Sequence, residues 1–367
     1  MPEPYLFYGT RVSYFSAKVR CALLAKGVAY RELEPTQEAY REVIVPRTGL
    51  AFIPVVITPE DETLQDSSVI CDELERRHPE PALYPATPAQ RVVAYLLELY
   101  ADELLVLPAM HYRWSFPESE AKARADFAAA TGDAERASRF ADRMKGSIRA
   151  LGVGPDSAKA IEDHTRDLLD ALSAHFDALP YLLGTRPSLA DCALMGPLFA
   201  HLFCDAVPGR LLRETAKPVC AWIERMNALD AREVARGAFL AGDALAPTLR
   251  PLLDLLGRDA VRLHLDDLRA AEAWALASPD AREAPPRVLG FHRTSLRGAA
   301  FDRYTSAYAP FMIQRPIDAY RASGDGDRRQ VREALRGTGI AELLEAEARI
   351  RVSKRRFALV YESPERG

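Results

Sequence analysis

The first eighty residues change hydrophobic period several times. Tyr5 to Tyr8 is an aromatic and aliphatic run of strand composition, stopped by Gly9-Thr10-Arg11. From Ser16 the spacing turns helical. Val19 and Leu23 share an apolar face, Lys18 and Arg20 lie off it, and Gly27 reads as the C-cap. Val28 to Leu33 alternates as a strand, and a helical stretch runs on through Val45. Phe52-Ile53-Pro54-Val55-Val56-Ile57 has buried-strand composition with a proline near its start, a position that calls for a special backbone such as a cis peptide. After the turn at Pro59–Glu62, Thr63-Leu64-Gln65 is a short strand. Asp66 or Ser67 then caps a helix with Ile70 and Leu74 on its apolar side and a Glu73–Arg77 pair.

The proline-rich stretch from His78 to Pro88 predicts a stiff linker, and beyond it the pattern is helical almost throughout. Residues 89–107 read as one helix that Pro108 breaks or kinks. Ile161, Leu168, Leu172, Phe176 and Leu179 form one stripe of an amphipathic helix over 157–179. Ser188-Leu189-Ala190-Asp191 has capping-box spacing before an apolar run, and Pro218 suits the first turn of a later helix. Past residue 245 the character changes again. Helical stretches recur around 306–322 and 328–350, with a hairpin expected near 287–305 about Leu296-Arg297-Gly298. The expected organisation is an α/β domain over 1–80, an all-helical domain over 88–244 and a mainly helical extension over 245–367.

Composition narrows the function classes. The 367 residues are 48% hydrophobic and 27% charged, with a formal net charge of −4, so no electrostatic argument favours a nucleic-acid partner. The basic run Arg349 to Phe357 follows Glu342, Glu345 and Glu347, so it reads as a solvated ion-pair face. MPEPYLFYGT lacks the basic and apolar regions of a signal peptide, and no apolar run reaches membrane-spanning length. A cytoplasmic protein is expected. Five cysteines without CxxC spacing read as reduced, buried thiols, and the histidines show no metal-ligand spacing, so no metal is expected.

The chemistry concentrates in Ser13-Tyr14-Phe15-Ser16-Ala17-Lys18-Val19-Arg20, between the first strand and first helix. Further along stand Ile53-Pro54-Val55, then Leu64-Gln65-Asp66-Ser67, then Gly184 with Pro187-Ser188-Leu189-Ala190-Asp191. In this order, and over about residues 4–240, the chain resembles the soluble glutathione transferase superfamily. Its serine and cysteine classes carry Ser or Cys, usually Pro-Phe, then four residues and Arg. Ser13, Phe15 and Arg20 match that pattern, while Tyr14 stands where the family usually has proline.

The resemblance implies a thioredoxin-like N-terminal domain, an all-α C-terminal domain, a homodimer, and glutathione as co-substrate with a small electrophile. It implies that Ser13 donates to the glutathione sulfur, that the Ile53 backbone beside Pro54 pairs with the cysteinyl part, that Asp66 accepts from the glutamyl ammonium, and that Ser67 receives the glutamyl carboxylate. Physically, a free thiol with a pKa near ~8.5 is mostly protonated at neutral pH, and a hydroxyl together with a helix N-terminus favours the thiolate. Ser13 is otherwise an ordinary turn serine, with Ser16 as the helix cap. Tyr8 is the second candidate for thiol activation. Tyr14, His111, Tyr112, Arg113 and Trp114 are expected at the acceptor cleft, with a domain-interface anchor as the other reading of His111 to Trp114. A serine at position 13 argues against disulfide exchange, which needs an accessible thiolate. The extension and Tyr14 leave open a binding or interaction module without turnover.

Overall fold

A computed structural model describes residues 3–362. Strand β1 (Tyr5–Tyr8) leads into helix α1 (Tyr14–Lys26), which ends at Gly27 in the left-handed conformation. Strand β2 (Tyr30–Leu33) follows, and the short helices α2 (Gln37–Ala39) and α3 (Val45–Thr48) flank a π-helical turn at Tyr40–Ile44. Strands β3 (Val55–Ile57) and β4 (Thr63–Gln65) and helix α4 (Ser67–Arg77) complete the unit. The sheet order is β2-β1-β3-β4, with β1 parallel to β2 and the other neighbours antiparallel. This is a thioredoxin-like domain. Phe7 and Val56 on one sheet face pack with Val19, Leu23, Ile70 and Leu74 from α1 and α4. The opposite face packs Tyr8, Val55 and Ile57 with Ile44.

The second unit is helical. It comprises α5 (Pro88–Leu99), α6 (Val106–Trp114), α7 (Pro117–Thr131), α8 (Ala134–Leu151), α9 (Pro155–Ala178), α10 (Leu189–Met195), α11 (Ala206–Thr215), α12 (Lys217–Asn227) and α13 (Ala231–Arg236). The single helix expected over 89–107 is two, joined by a π-helical segment at Tyr100–Leu104. Pro108 has no N–H to bond the Leu104 carbonyl, and the backbone widens just ahead of it, with Leu105 N bonding Tyr100 O at 3.1 Å. The capping box forms: Asp191 accepts from Ser188 N at 2.9 Å and Ser188 Oγ at 2.8 Å, and also from Leu182 N and Trp222 Nε1 at 3.1 Å. Among the described residues no single helix is long and apolar enough to cross a membrane.

Beyond these lie α14 (Arg250–Asp259), α15 (Val261–Ala277), hairpin β5 (Val288–Leu296)–β6 (Ala299–Ser306), α16 (Ala309–Arg321), α17 (Asp325–Ala334), α18 (Ala341–Leu344) and hairpin β7 (Val352–Arg355)–β8 (Ala358–Tyr361). Arg297 and Gly298 both have positive φ, the geometry that a two-residue hairpin turn needs. Helix α16 packs along α5, α15 packs on both β5 and α16, and β6 meets α8 and α9. A buried chain ties the helical unit to the extension: Tyr100 Oη to His164 Nε2, and His164 Nδ1 to Asp259, each at 2.7 Å. The basic run at 349–357 is exposed and ion-paired as expected except at Lys354, and its acidic partners are not the glutamates just upstream. Arg351 pairs with Asp318 and Arg355 with Glu283, while Lys354 turns inward to Asp66.

Candidate thiol-binding site

Strand register gathers the predicted residues at one end of the sheet. Tyr8 pairs with Val55 and Val55 with Gln65, so the loop to Ser13, the Ile53-Pro54 step and the Asp66-Ser67 pair leave neighbouring strands side by side. The Ile53-Pro54 peptide is cis, as is Glu80-Pro81. Asp66 and Ser67 are buried, with 9% and 5% of their surface exposed. Asp66 holds positive φ and caps α4, its Oδ1 accepting from Ser68 N at 2.9 Å and from Val69 N at 3.4 Å. Helix α1 begins three residues earlier than Ser16 capping would give. Ser13 is the N-cap, and its Oγ accepts from Ser16 N at 3.4 Å. Ser13 donates no hydrogen bond among the described residues, so its proton can turn toward a ligand at the positive end of a 13-residue helix.

The other candidates lie elsewhere. The Tyr8 ring is packed against Ile44, Val55 and Ile57. Tyr14 does not line an open cleft: its hydroxyl donates to the Ala101 carbonyl, and its ring lies where a Cβ on Gly196 would come within 2.7 Å. His111, Tyr112, Arg113 and Trp114 are also not at a cleft. All four are buried inside the helical unit. Arg113 Nε reaches Asp205 at 2.8 Å, Tyr112 stacks on Phe116 with centroids 5.4 Å apart, and Trp114 meets Phe127. A short polar-aromatic run in a helix reads the same whether it faces a cleft or a core. Cys21 is buried, and burial pushes its thiol up to about 12, which leaves no reactive thiolate there.

Sequence reasoning missed the charges beneath the site. Lys18, assigned above to the polar side of α1, is fully buried. Its Nζ donates to Glu98 and Asp102 at 2.6 Å each and to Ser68 Oγ at 2.9 Å, which satisfies all three ammonium protons. Burial disfavours this ammonium, but Asp102 and Glu98 outweigh it and raise its pKa. Burial also works against Glu98, yet Arg315 of α16, at 2.9 Å, and Lys18 hold that carboxyl low. Asp102 lacks the arginine, and burial pushes it up despite Lys18. Two acidic residues four apart in the apolar run from Val92 to Leu105 were the available signal.

Glu103, next along, is pushed up to about 8 by burial, reinforced by Asp267 and Asp102 and opposed by Arg303. It faces a buried polar cluster of the extension. His292 Nε2 lies 3.2 Å from Asp267 Oδ1, and Arg303 Nη1 lies 3.6 Å from Asp267 Oδ2. Burial lowers His264, beside them, to about 4. Among the described residues no group of three His, Cys, Asp or Glu side chains has the arrangement to hold a metal.

The extension also meets the N-terminal unit directly. Lys354 of β7 pairs with Asp66 Oδ2. Arg287 stacks over Phe52, 4.5 Å from its centroid, just ahead of Ile53-Pro54. Ser68 Oγ lies 3.5 Å from Met312 Sδ.

The family described as glutathione S-transferase, N-terminal domain, matches residues 7–82, and that described as glutathione S-transferase, C-terminal domain, matches 116–230. The chain belongs to the glutathione transferase superfamily. Solved structures similar to it include a glutathione S-transferase from Rhodospirillum rubrum F11, 20% identical, covering 68% of this chain and 91% of that one with a TM-score of 0.42. The β-etherase LigF from Sphingobium sp. strain SYK-6 is 18% identical, covering 64% and 99% with a TM-score of 0.46. A Tau class glutathione S-transferase from mango, Mangifera indica L., is 19% identical, covering 64% and 97% with a TM-score of 0.39. No curated protein matches the chain. The family matches stop at residue 230, so the contacts of Arg287, Arg315 and Lys354 come from chain outside the glutathione transferase matches.

Proposed function

We propose that this protein is a glutathione transferase, which binds glutathione and activates its thiol for attack on a small electrophile. The observation that carries this reading is Ser13, a helix cap whose own proton is uncommitted, at the sheet end where Ile53-Pro54 and Asp66-Ser67 also converge. A donor at that point stabilises sulfur as it becomes anionic, and the amide dipoles of α1 act in the same direction. The thiol proton leaves to solvent, and the sulfur attacks the electrophilic carbon to form a thioether as that carbon's bond to its leaving group breaks and the leaving group departs to solvent with the electron pair. The Ile53 backbone aligns the cysteinyl part, and Ser67 at the start of α4 receives the glutamyl carboxylate.

Calorimetric titration with glutathione and a conjugation assay with a chromogenic electrophile test the reading. Ser13→Ala is expected to retain glutathione binding and lose turnover on the order of a hundredfold, the usual size for one donor to a developing anion. Tyr8→Phe is expected to change little. Unaltered turnover in Ser13→Ala would remove the serine from the mechanism.

One observation favours a second reading, a glutathione transferase fold serving as a binding or interaction module: Asp66 already carries an internal cation, Lys354. Glutathione bound without conjugation of any electrophile tried would support it.

A further inference from the structure

The ammonium of Lys354 is held as a bound cation would be. It pairs with the Asp66 carboxylate, and its Nζ lies 5.3 Å from the Tyr308 ring centroid and 5.5 Å from that of Phe311. The two rings sit 5.5 Å apart and tilted by 41°, so they form two walls around the cation. A carboxylate with two aromatic faces is a general recognition arrangement for an ammonium group. Its parts come from two places: Asp66 caps α4, whereas Tyr308 and Phe311 stand at the start of α16. Tyr308 is kept a neutral phenol by burial and by the Asp66 and Asp102 carboxylates, so Lys354 and Asp66 are the opposed charges.

We propose that Asp66, Tyr308 and Phe311 form an ammonium-binding site whose resident occupant is Lys354, and that a ligand carrying a primary ammonium must displace Lys354 to use it. The proposal rests on the reading of the thiol site given above, where glutathione presents its glutamyl ammonium to Asp66. It adds that the extension supplies both the aromatic half of this subsite and a competing cation. The tip of the hairpin is placed to yield, while its base is held by Gln314 of α16, which bonds both N and O of the buried Val352. Between its turn, at Arg356 and Phe357, and the β4–α4 surface at Gln65, Val69 and Asp72 lies a groove of about 630 Å3, so the turn is not packed onto that surface. Lys354 itself lies two residues beyond the Val352 tie, on a four-residue strand whose strand partner among the described residues is β8.

While Lys354 occupies the site, the apparent affinity for an ammonium ligand is the intrinsic affinity reduced by the vacant fraction. A ligand with no ammonium does not bear this reduction. The test is calorimetric titration of the full-length protein with glutathione and with desamino-glutathione, in which hydrogen replaces the glutamyl amino group. Wild type is expected to bind the two comparably. Lys354→Ala and Lys354→Gln, the second keeping most of the chain length between the rings, are expected to bind glutathione about tenfold more tightly and the desamino analogue unchanged. In the Lys354→Gln background, Tyr308→Leu is expected to reverse the gain for glutathione alone. If wild type and both variants bind glutathione equally, the proposal is overturned and the thiol-site reading stands. Tighter binding of both ligands to the variants would also overturn it, since that is the mark of an opened site rather than a freed carboxylate. Binding of neither ligand to any form would overturn both readings.

Discussion

Among the described residues, Lys18→Met removes the only cation that touches Asp102 and one of two that touch Glu98, while nearly preserving side-chain volume. Both carboxylates stay buried, with 0% and 2% of their side chains exposed. At an effective dielectric constant of ~20, each contact at ammonium–carboxylate distance is worth several kcal/mol of gross attraction, of which desolvation cancels most in the intact cluster. Loss of the lysine cancels none of the carboxylate desolvation. Breaking a buried ion pair from one side costs about 3–5 kcal/mol, and that is the expected loss. Arg315 still neutralises Glu98, so Asp102 carries most of the damage and is expected to take up a proton. Urea unfolding at pH 7, followed by far-ultraviolet circular dichroism, measures the loss. The double variant Lys18→Met/Asp102→Asn is expected to be more stable than the sum of its singles predicts, by at least about 1 kcal/mol, because the second change removes the stranded charge. Additive singles, or a Lys18→Met protein within about 0.5 kcal/mol of wild type, would refute the reasoning.

Glu103 makes a pH prediction of definite sign. Its folded pKa of about 8 lies above the unfolded value of ~4.3, so the folded state holds the extra proton between those values and stability falls as pH rises through that window. At pH 7 the term is at most ~4 kcal/mol, and Glu103→Gln should flatten the decline in a series of urea midpoints from pH 5 to 8; a steeper decline would contradict the assignment. Asp191→Ala strands four donors from Ser188, Leu182 and Trp222, and should cost about 3–5 kcal/mol in the same unfolding assay. A loss below about 1 kcal/mol would show that water replaces the carboxylate.

Local chemistry by itself determined much of this protein. The aromatic and aliphatic run at Tyr5–Tyr8, the β-branched run at Val55–Ile57, the Gly27 C-cap and the Ser188–Asp191 box each act within a few residues of chain. They specify the order of strands and helices wherever the rest of the chain folds. The Ile53-Pro54 and Asp66-Ser67 segments were legible because each is a local backbone device, a proline step and a cap, whereas Ser13 stood out by its motif alone, with the cap expected three residues later at Ser16. Hydrophobic period also misled where it was the only guide. Lys18 looked solvent-facing because charge implies exposure, and His111 to Trp114 looked like cleft lining because aromatic and polar residues alternate there.

Tertiary structure alone decided which charges meet. Lys18 reaches carboxylates 80 and 84 residues away, Arg315 reaches Asp72 across 243 residues, and Lys354 reaches Asp66 across 288. Burial of such groups is tolerable only when a partner arrives from elsewhere in the fold, so neither side of a pair carries the signal. The frame of the proposed thiol site therefore comes from the first eighty residues, whereas the cation on Asp66 comes from a hairpin that only the folded chain brings to it.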